Sequence, residues 1–312
     1  MATQDITNAG ARPAPRLGAR KRRPGEDAIK VALIACAFIS VATTLGIVIA
    51  LLQPAIEFFR EINFIDFITG TRWAPLFEPP DFGVLPLISG TISVTIWATL
   101  VMIPFGLGAA IYLSEYARPR VRKWLKPALE VLAGIPTVVF GYFALLFMTP
   151  LLQKVGIDVG TFSALSAGIV VGVLLIPTVA SISEDAMAAV PHDLRSGAYA
   201  LGAPKFKVAT RIVVPAAISG IVASFVLGIS RAIGETMIVY LAAGGQPNLS
   251  FNPTEAVQTM TAFIGATGLG DVPTGSLEYK TIFAVGLALF VMTLVMNIFA
   301  IRLVRKYREV YE

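Results

Sequence analysis

The sequence predicts an all-α integral membrane protein with six membrane-spanning helices and both termini in the cytoplasm. Three observations support this prediction: the composition, a series of long uncharged segments, and the distribution of basic residues. The chain has 312 residues, of which 55% are hydrophobic and 14% charged, and its mean hydropathy is +0.74. Soluble domains carry about a quarter charged residues. Lipid must therefore be the solvent for much of this apolar surface.

Seven long segments of the chain contain no Asp, Glu, Lys or Arg. A spanning helix needs about 20 such residues. The sixth segment is interrupted at Gly244, Gly245 and Pro247, so we expect it to complete the helix that begins after Ile212. That leaves six spans. The segments are 31–56, 82–114, 131–153, 159–183, 212–230, 236–254 and 281–301.

Basic residues lie mainly on alternate connections between the spans. The amino-terminal tail, the Arg118–Lys126 loop, the Glu184–Arg211 loop and the carboxyl terminus hold 20 of the 25 Lys and Arg residues, and the opposite connections hold 4. This bias places the basic side in the cytoplasm. The net charge of +5 therefore reflects membrane topology and does not indicate a nucleic-acid partner.

The domain organisation follows from these spans. Residues 1–27 are predicted to form a disordered basic cytoplasmic tail, and residues 28–312 a six-span transmembrane domain. An external loop over 54–81 is acidic and aromatic, which favours the headgroup layer. The cytoplasmic loop over 184–211 connects two spans. The lone Cys36 excludes a disulfide framework and a thiolate metal site.

Three predicted spans have an interior proline: Pro104, Pro136 and Pro177. Each removes a backbone donor and kinks its helix. The carbonyl groups so freed must be satisfied by other helices or by water, as along a translocation path. Kinks that serve only helix packing are the equal alternative for each proline taken singly.

The cytoplasmic loop contains the pattern of a short amphipathic helix. An aspartate caps its start, apolar residues lie one turn apart on one stripe, a glycine supplies a left-handed stop, and a proline suits the first turn of the next helix. The stripe packs either against this chain's own helix ends or into a groove on a cytoplasmic partner. The residues are Asp193, Leu194, Ala198, Leu201, Gly202 and Pro204.

The segment Ser196–Pro215, SGAYALGAPKFKVATRIVVP, resembles the cytoplasmic loop signature of binding-protein-dependent ABC importer permeases. Gly202, Ile212, Val214 and Pro215 fall at the family spacing. Ser196 stands where the signature has Glu, so no salt-bridge role is carried over to it. The resemblance implies a type I ABC importer transmembrane domain that couples to an ATPase through residues 191–205.

Further stretches are similar to the permeases of high-affinity phosphate transporters, and to the C subunit of the Pst system in particular. By this resemblance, the partners are a second permease subunit of Pst A type, an ATPase dimer of Pst B type, and a phosphate-binding protein of Pst S type. The location implied is the plasma or inner membrane of a prokaryote. The stretches are FGVLPLISGT (82–91), IYLSEYA (111–117), LAGIPTVVFGYF (132–143), SRAIGETM (230–237) and SLEYKTIFAVGLALFVMTLVMN (276–297).

The chain itself has no nucleotide-binding motif. The dipeptide Gly-Lys never occurs, so the phosphate-cradling loop G-x-x-x-x-G-K-[ST] is absent. We therefore expect no cofactor in this chain and no ATPase activity of its own, with ATP and magnesium bound by a partner.

Arg231 and Glu235 are the only charged residues between Ile212 and Thr254. An arginine inside a span costs roughly 2.5–3.5 kcal/mol on insertion scales, so it should face the bundle interior or a water-filled path. Four residues apart on a helix, the two side chains are predicted to pair. We expect Arg231 to bind phosphate transiently and Glu235 to keep that binding weak; a purely structural ion pair is the alternative. Thr137 and Thr236 are weaker candidates for the substrate path.

Other residues and other functions are less favoured. Glu115 and Glu130 lie at predicted span ends, where a carboxylate reaches headgroups at little cost. His192 is the sole histidine, and a metal needs more ligands. The rival class is an ion-coupled secondary transporter using Arg231 and Glu235. Sulfate, molybdate or phosphonate also remain possible cargo. A membrane enzyme lacks a plausible catalytic cluster.

Overall fold

A computed structural model describes residues 24–306 of the chain, with side chains described over 25–302. The chain divides into two units, residues 1–50 and 51–312. In the first unit the described part is the beginning of helix α1 (Pro24–Glu61). The helix begins inside the predicted tail because proline fits a first turn and Glu26 and Asp27 lie in that turn. The rest of the predicted tail, residues 1–23, lies outside the described residues.

The described part of the second unit is mainly helical. One two-stranded antiparallel hairpin, β1 (Trp73–Ala74) and β2 (Asp81–Phe82), lies between the second and third helices, with Trp73 opposite Phe82. Within residues 24–306, three π-helical turns interrupt the helices, at Tyr112–Tyr116, Ala144–Met148 and Ala209–Val213. The remaining helices are α2 (Phe64–Thr69), α3 (Leu85–Ile111), α4 (Pro119–Ala133), α5 (Thr137–Phe143), α6 (Thr149–Lys154), α7 (Ala164–Ala188), α8 (His192–Ala200), α9 (Lys205–Val208), α10 (Val214–Ala216), α11 (Ile218–Ile233), α12 (Met237–Ala242), α13 (Met260–Leu269) and α14 (Leu277–Lys306).

The described residues contain five helical segments that are long and apolar enough to cross a membrane. A sixth is possible where 205–216 and 218–233 join at a bend of 73°. The predicted all-α, six-span class is therefore confirmed. The prediction that one helix runs from Ile212 through 236–254 is wrong. α11 ends at Ile233, and α12 ends just before Gly244, whose φ of +94° turns the chain.

Helices α3 and α7 form the centre of the second unit, and glycines let them approach closely. A Cβ atom at Gly168 would lie 2.9 Å from the carbonyl oxygen of Val94, and one at Gly172 would lie 2.8 Å from that of Ala98. Small residues commonly line such helix contacts in membranes. The largest core cluster extends from this pair to α11 and α12.

The predicted external loop is shorter than 54–81. α1 continues through Pro54 to Glu61, because Phe58 and its neighbours pack into an aromatic cluster. Phe58 meets Phe67 edge to face, and Trp73 meets Phe263 of α13 in the same way. The hairpin and α2 therefore form part of a packed cap.

Two of the three predicted proline positions lie inside helices: Pro104 in α3 and Pro177 in α7. Pro136 does not kink a continuous helix, since it is the residue that caps the start of α5 after the break at Gly134–Pro136. The chain before α5 runs instead in the separate helix α4.

Candidate functional site

The first group of candidate residues lies at the break between α11 and α12. Arg231 lies in the last turn of α11, and its Nη1 donates a hydrogen bond to Thr178 Oγ1 at 3.2 Å. Thr178 follows Pro177 in α7. The neighbouring Ser230 donates to Asn297 Oδ1 of α14 at 2.8 Å. An interrupted helix end and a proline-containing helix therefore meet at the arginine.

Glu235 lies on the other side of the break. Its Oε1 accepts hydrogen bonds from the backbone N–H groups of Met237 and Ile238, at 3.1 and 3.3 Å. The carboxylate thus caps the first turn of α12, where the helix dipole favours negative charge. The predicted Arg231–Glu235 pairing is wrong, because α11 ends at Ile233 and the two residues are not on one helix.

The break is held by two hydroxyl groups. Thr236 Oγ1 donates to the carbonyl oxygen of Gly234 at 3.3 Å, and Thr261 Oγ1, from α13, donates to that of Glu235 at 2.6 Å. Thr236 therefore lies at this site, next to Glu235. Thr137 is the first residue of α5, which packs against α12 where Gly141 meets Leu241, and no described hydrogen bond joins it to Arg231.

The positive charge of Arg231 at the break is not balanced by a carboxylate among the described residues. The guanidinium of Arg231 is exposed, and none of the ion pairs of residues 25–302 includes it. One neutral hydroxyl is its described hydrogen-bond partner. An arginine within an apolar helix pair requires a compensating group. Its forked donors match the oxygens of a tetrahedral anion. This geometry leaves guanidinium donors that can bind the oxygens of an anion.

The predicted short cytoplasmic helix is present as α8. Asp193 does not cap it, since Pro191 precedes the first turn and Asp193 lies within that turn. Gly202 has a φ of +75°, as the predicted left-handed stop requires. Pro204 caps the start of α9 from outside and is not in its first turn.

The predicted apolar stripe of α8 is divided between the inside and the outside. Ala198 is buried among the ends of the neighbouring helices, whereas Leu194 is partly exposed and Leu201 is 90% exposed. The interpretation that the stripe packs against this chain's own helix ends therefore holds for Ala198. The exposed Leu201 lies outside that contact.

Arg195 anchors α8, and the sequence analysis missed it. Its guanidinium donates to Glu115 Oε1 at 3.1 Å and to the carbonyl oxygens of Val190 and Met187 at 2.6 and 2.7 Å. The prediction that Glu115 reaches lipid headgroups is wrong, because its side chain is only 5% exposed. No local pattern indicates this pair, since the two residues lie 80 positions apart.

A second charge network lies where α4 meets the end of α7. Glu184 is fully buried and is paired with Arg122 and with Lys126, the latter at 2.8 Å. Lys126 also pairs with Asp185. The hydrogen bonds to Asp185 and Glu184 raise the pKa of Lys126 above its ordinary value. Lys126 therefore remains charged throughout the physiological pH range.

The comparison with protein families decides the assignment. Residues 102–309 match the model of the "Binding-protein-dependent transport system inner membrane component". The chain belongs to this family. It is therefore a multi-pass membrane component of a transport system, as the resemblance of the 196–215 segment predicted.

Similar proteins extend the match over most of the chain. The probable ABC transporter permease protein YqgH of Bacillus subtilis is 36% identical over 266 residues, which cover 85% of this chain and 86% of that protein. The phosphate transport system permease protein PstC of Mesorhizobium japonicum is 31% identical over 86% of each chain.

Solved structures agree in fold. A bacterial alginate ABC transporter in complex with an alginate pentasaccharide-bound periplasmic protein matches with a TM-score of 0.63 at 18% identity, over 90% of this chain and 96% of that one. The MetNI methionine ABC transporter in an inward-facing conformation matches with a TM-score of 0.54 at 16% identity, over 73% and 95%. The fold is that of an ABC importer transmembrane domain.

Proposed function

We propose that this chain is the membrane-spanning permease subunit of an ATP-driven inorganic phosphate importer. The support is family membership together with relatives at 30–32% identity that are named phosphate transport system permeases. The chain forms the translocation path together with a second permease subunit of Pst A type.

The observation that carries the substrate assignment is the state of Arg231. Its exposed guanidinium is held by Thr178 on one side and has no carboxylate partner among the described residues. Phosphate, entering the path, supplies the oxygens that this fork lacks. Thr236 and Thr137 are the hydroxyl-bearing candidates along the same path.

Glu235 acts here without a direct ion pair to Arg231. Its Oε1 is occupied by the cap of α12, so the carboxylate holds a negative charge at a fixed place near the break. We propose that this charge weakens phosphate binding by repulsion and so favours release.

The driving force enters at α8. We propose that a separate ATPase dimer of Pst B type, which binds ATP and magnesium, contacts the exposed Leu201 edge of the segment 191–205. Arg195 then passes the motion to α3 and α7 through Glu115 and the carbonyl groups at the end of α7. A phosphate-binding protein of Pst S type delivers the cargo on the opposite face.

Reconstitution tests the proposal. The tagged chain should copurify with a second permease and an ATPase, identified by mass spectrometry, and the complex in proteoliposomes should take up radiolabelled phosphate only with ATP. A partner ATPase with its nucleotide-loop lysine replaced is the control and should abolish uptake. Phosphate uptake by this chain alone, driven by an ion gradient, would instead establish the secondary transporter. If the complex transports sulfate or molybdate in preference to phosphate, that anion is the cargo.

A further inference from the structure

Helix α4 is confined to the membrane surface by its connections. Two residues separate it from the π-helical turn that ends the α3 span at Tyr116, and three separate it from the span that begins at Thr137. Links of two or three residues reach only about 10 Å when fully extended. α4 itself is about 22 Å long, at 1.5 Å per residue. It therefore lies close to the bilayer, on the side that carries the excess of basic residues.

One face of α4 is apolar and is not covered by the described chain. No residue of the helix is buried. Trp124 is 79% exposed, and tryptophan is a side chain that favours the boundary between headgroups and hydrocarbon. The apolar residues follow a spacing of three and four positions, so they share one face. They are Val121, Trp124, Leu125, Ala128 and Leu132.

The opposite side of α4 is basic. It carries four cations and a single carboxylate, Glu130. Arg122 and Lys126 are engaged by Glu184 and Asp185 at the end of α7. Arg120 and Lys123 take part in none of the ion pairs of residues 25–302. The helix is thus clamped to its own chain by part of its polar side, and two cations remain unpaired.

We propose that α4 lies in the cytoplasmic leaflet and binds anionic phospholipid, with its apolar face among the acyl chains and Arg120 and Lys123 at the headgroup phosphates. A large amphipathic moment, basic residues on the polar side and an exposed tryptophan together favour an in-plane interfacial helix. The cytoplasmic leaflet carries negative charge that attracts such residues. The charges of the helix and of this surface are complementary.

The clamp gives this binding a consequence for coupling. Arg122 and Lys126 fix α4 to Glu184, four residues before α7 ends and eight before α8 begins. Lipid that holds α4 in the interface therefore also helps to position the end of α7, and α8 is the next helix along the chain.

Quenching of Trp124 by brominated lipids tests the proposal. The full chain, purified with the subunits that assemble with it, is placed in nanodiscs of phosphatidylcholine with a minor fraction of phosphatidylglycerol, and bromine is carried by one lipid or the other. Subtracting the signal of Trp124→Phe isolates the emission of Trp124, since Trp73 and Trp97 are unchanged. At equal mole fraction, brominated phosphatidylglycerol should quench more than tenfold more strongly than brominated phosphatidylcholine, because two basic residues contribute about 1 kcal/mol each.

The charge dependence sharpens the test. Each of Arg120→Gln and Lys123→Gln should lower the preference for phosphatidylglycerol by about fivefold, because a basic residue near an anionic surface contributes about 1 kcal/mol. About 1 M salt, where the Debye length is about 3 Å, should also remove most of it. Lys207→Gln and Arg211→Gln change the charge equally on the same side of the membrane, away from α4, and should leave the preference intact.

Two results would overturn the proposal. Trp124 that neither brominated lipid quenches would mean that protein, such as a second permease subunit, covers the apolar face. Equal quenching by both lipids would mean contact with lipid but no recognition of negative charge. The measurement needs no phosphate transport, so its failure is distinguishable from a failure of the proposed importer function.

Discussion

Two arginines of the transmembrane domain show opposite environments. Arg195, at the cytoplasmic end, has a side chain only 12% exposed and donates to a buried carboxylate and two backbone carbonyls. Arg231, at the end of α11, is exposed and has one described hydrogen bond, to a neutral hydroxyl. The first has its donors satisfied within the chain, and the second does not.

This difference separates a structural cation from a functional one. A buried charge that is fully paired holds two elements in register, and removing its partner is costly. A charge that is exposed on an apolar membrane-spanning segment is stable only if another group compensates it. Arg195 is therefore expected to control the attachment of α8, and Arg231 to bind cargo.

Breaking the Arg195–Glu115 pair should have the largest effect on stability. Arg195→Ala leaves the Glu115 carboxylate buried without its partner, which costs about 3–5 kcal/mol. The thermal unfolding midpoint of the purified protein should fall markedly. Adding Glu115→Gln to Arg195→Ala should recover part of the loss, because the uncompensated charge is removed. A double variant no more stable than the single one would contradict this account.

The next largest effect, on phosphate uptake, is expected when Arg231 keeps its charge but loses the paired N–H donors of its guanidinium. Lysine provides a point charge without paired donors. Arg231→Lys should reduce phosphate uptake roughly tenfold, which corresponds to a loss of about 1.4 kcal/mol from the bidentate hydrogen bonds. Uptake per assembled complex is the measurement. Full activity of the lysine variant would show that the planar donors are not used.

Glu235 can be tested without disturbing α12. Glu235→Gln keeps an oxygen to accept the cap hydrogen bonds and removes only the charge, so stability should change by about 1 kcal/mol or less. Without the repulsion, the KM for phosphate uptake should fall, together with the maximal rate. Glu235→Ala is the control, since it also removes the cap. An unchanged KM in the glutamine variant would show that Glu235 only caps the helix.

Thr178 should give the smallest effect. Thr178→Val removes the hydroxyl that orients Arg231, a hydrogen bond that contributes about 0.5–1.5 kcal/mol. Uptake should fall by a few fold, while Thr178→Ser, which keeps the hydroxyl, should behave like the wild type. If serine and valine have the same effect, the contact does not orient the arginine.

The fold was largely predictable because its strongest signals are local. Long apolar segments mark the spans, and Gly202 marks the end of α8, since only a residue tolerant of positive φ fits there. The break after Ile233 was not predicted. Apolar residues continue on both sides of Gly234, and a hydropathy pattern does not show where a helix changes direction. Pairs such as Arg195 with Glu115 are set by tertiary packing, which no spacing in the sequence encodes.

The most direct test compares Arg231→Gln with Arg195→Gln in the same assembled transporter, measuring thermal unfolding and ATP-dependent phosphate uptake for each. The account predicts that Arg231→Gln keeps the wild-type unfolding midpoint and loses uptake by about 10-fold to 100-fold, as expected when hydrogen bonds to a charged group are lost. Arg195→Gln should lower the midpoint itself. Normal uptake by Arg231→Gln, or a fall in its midpoint as large as that of Arg195→Gln, would contradict the assignment of Arg231 to the phosphate path.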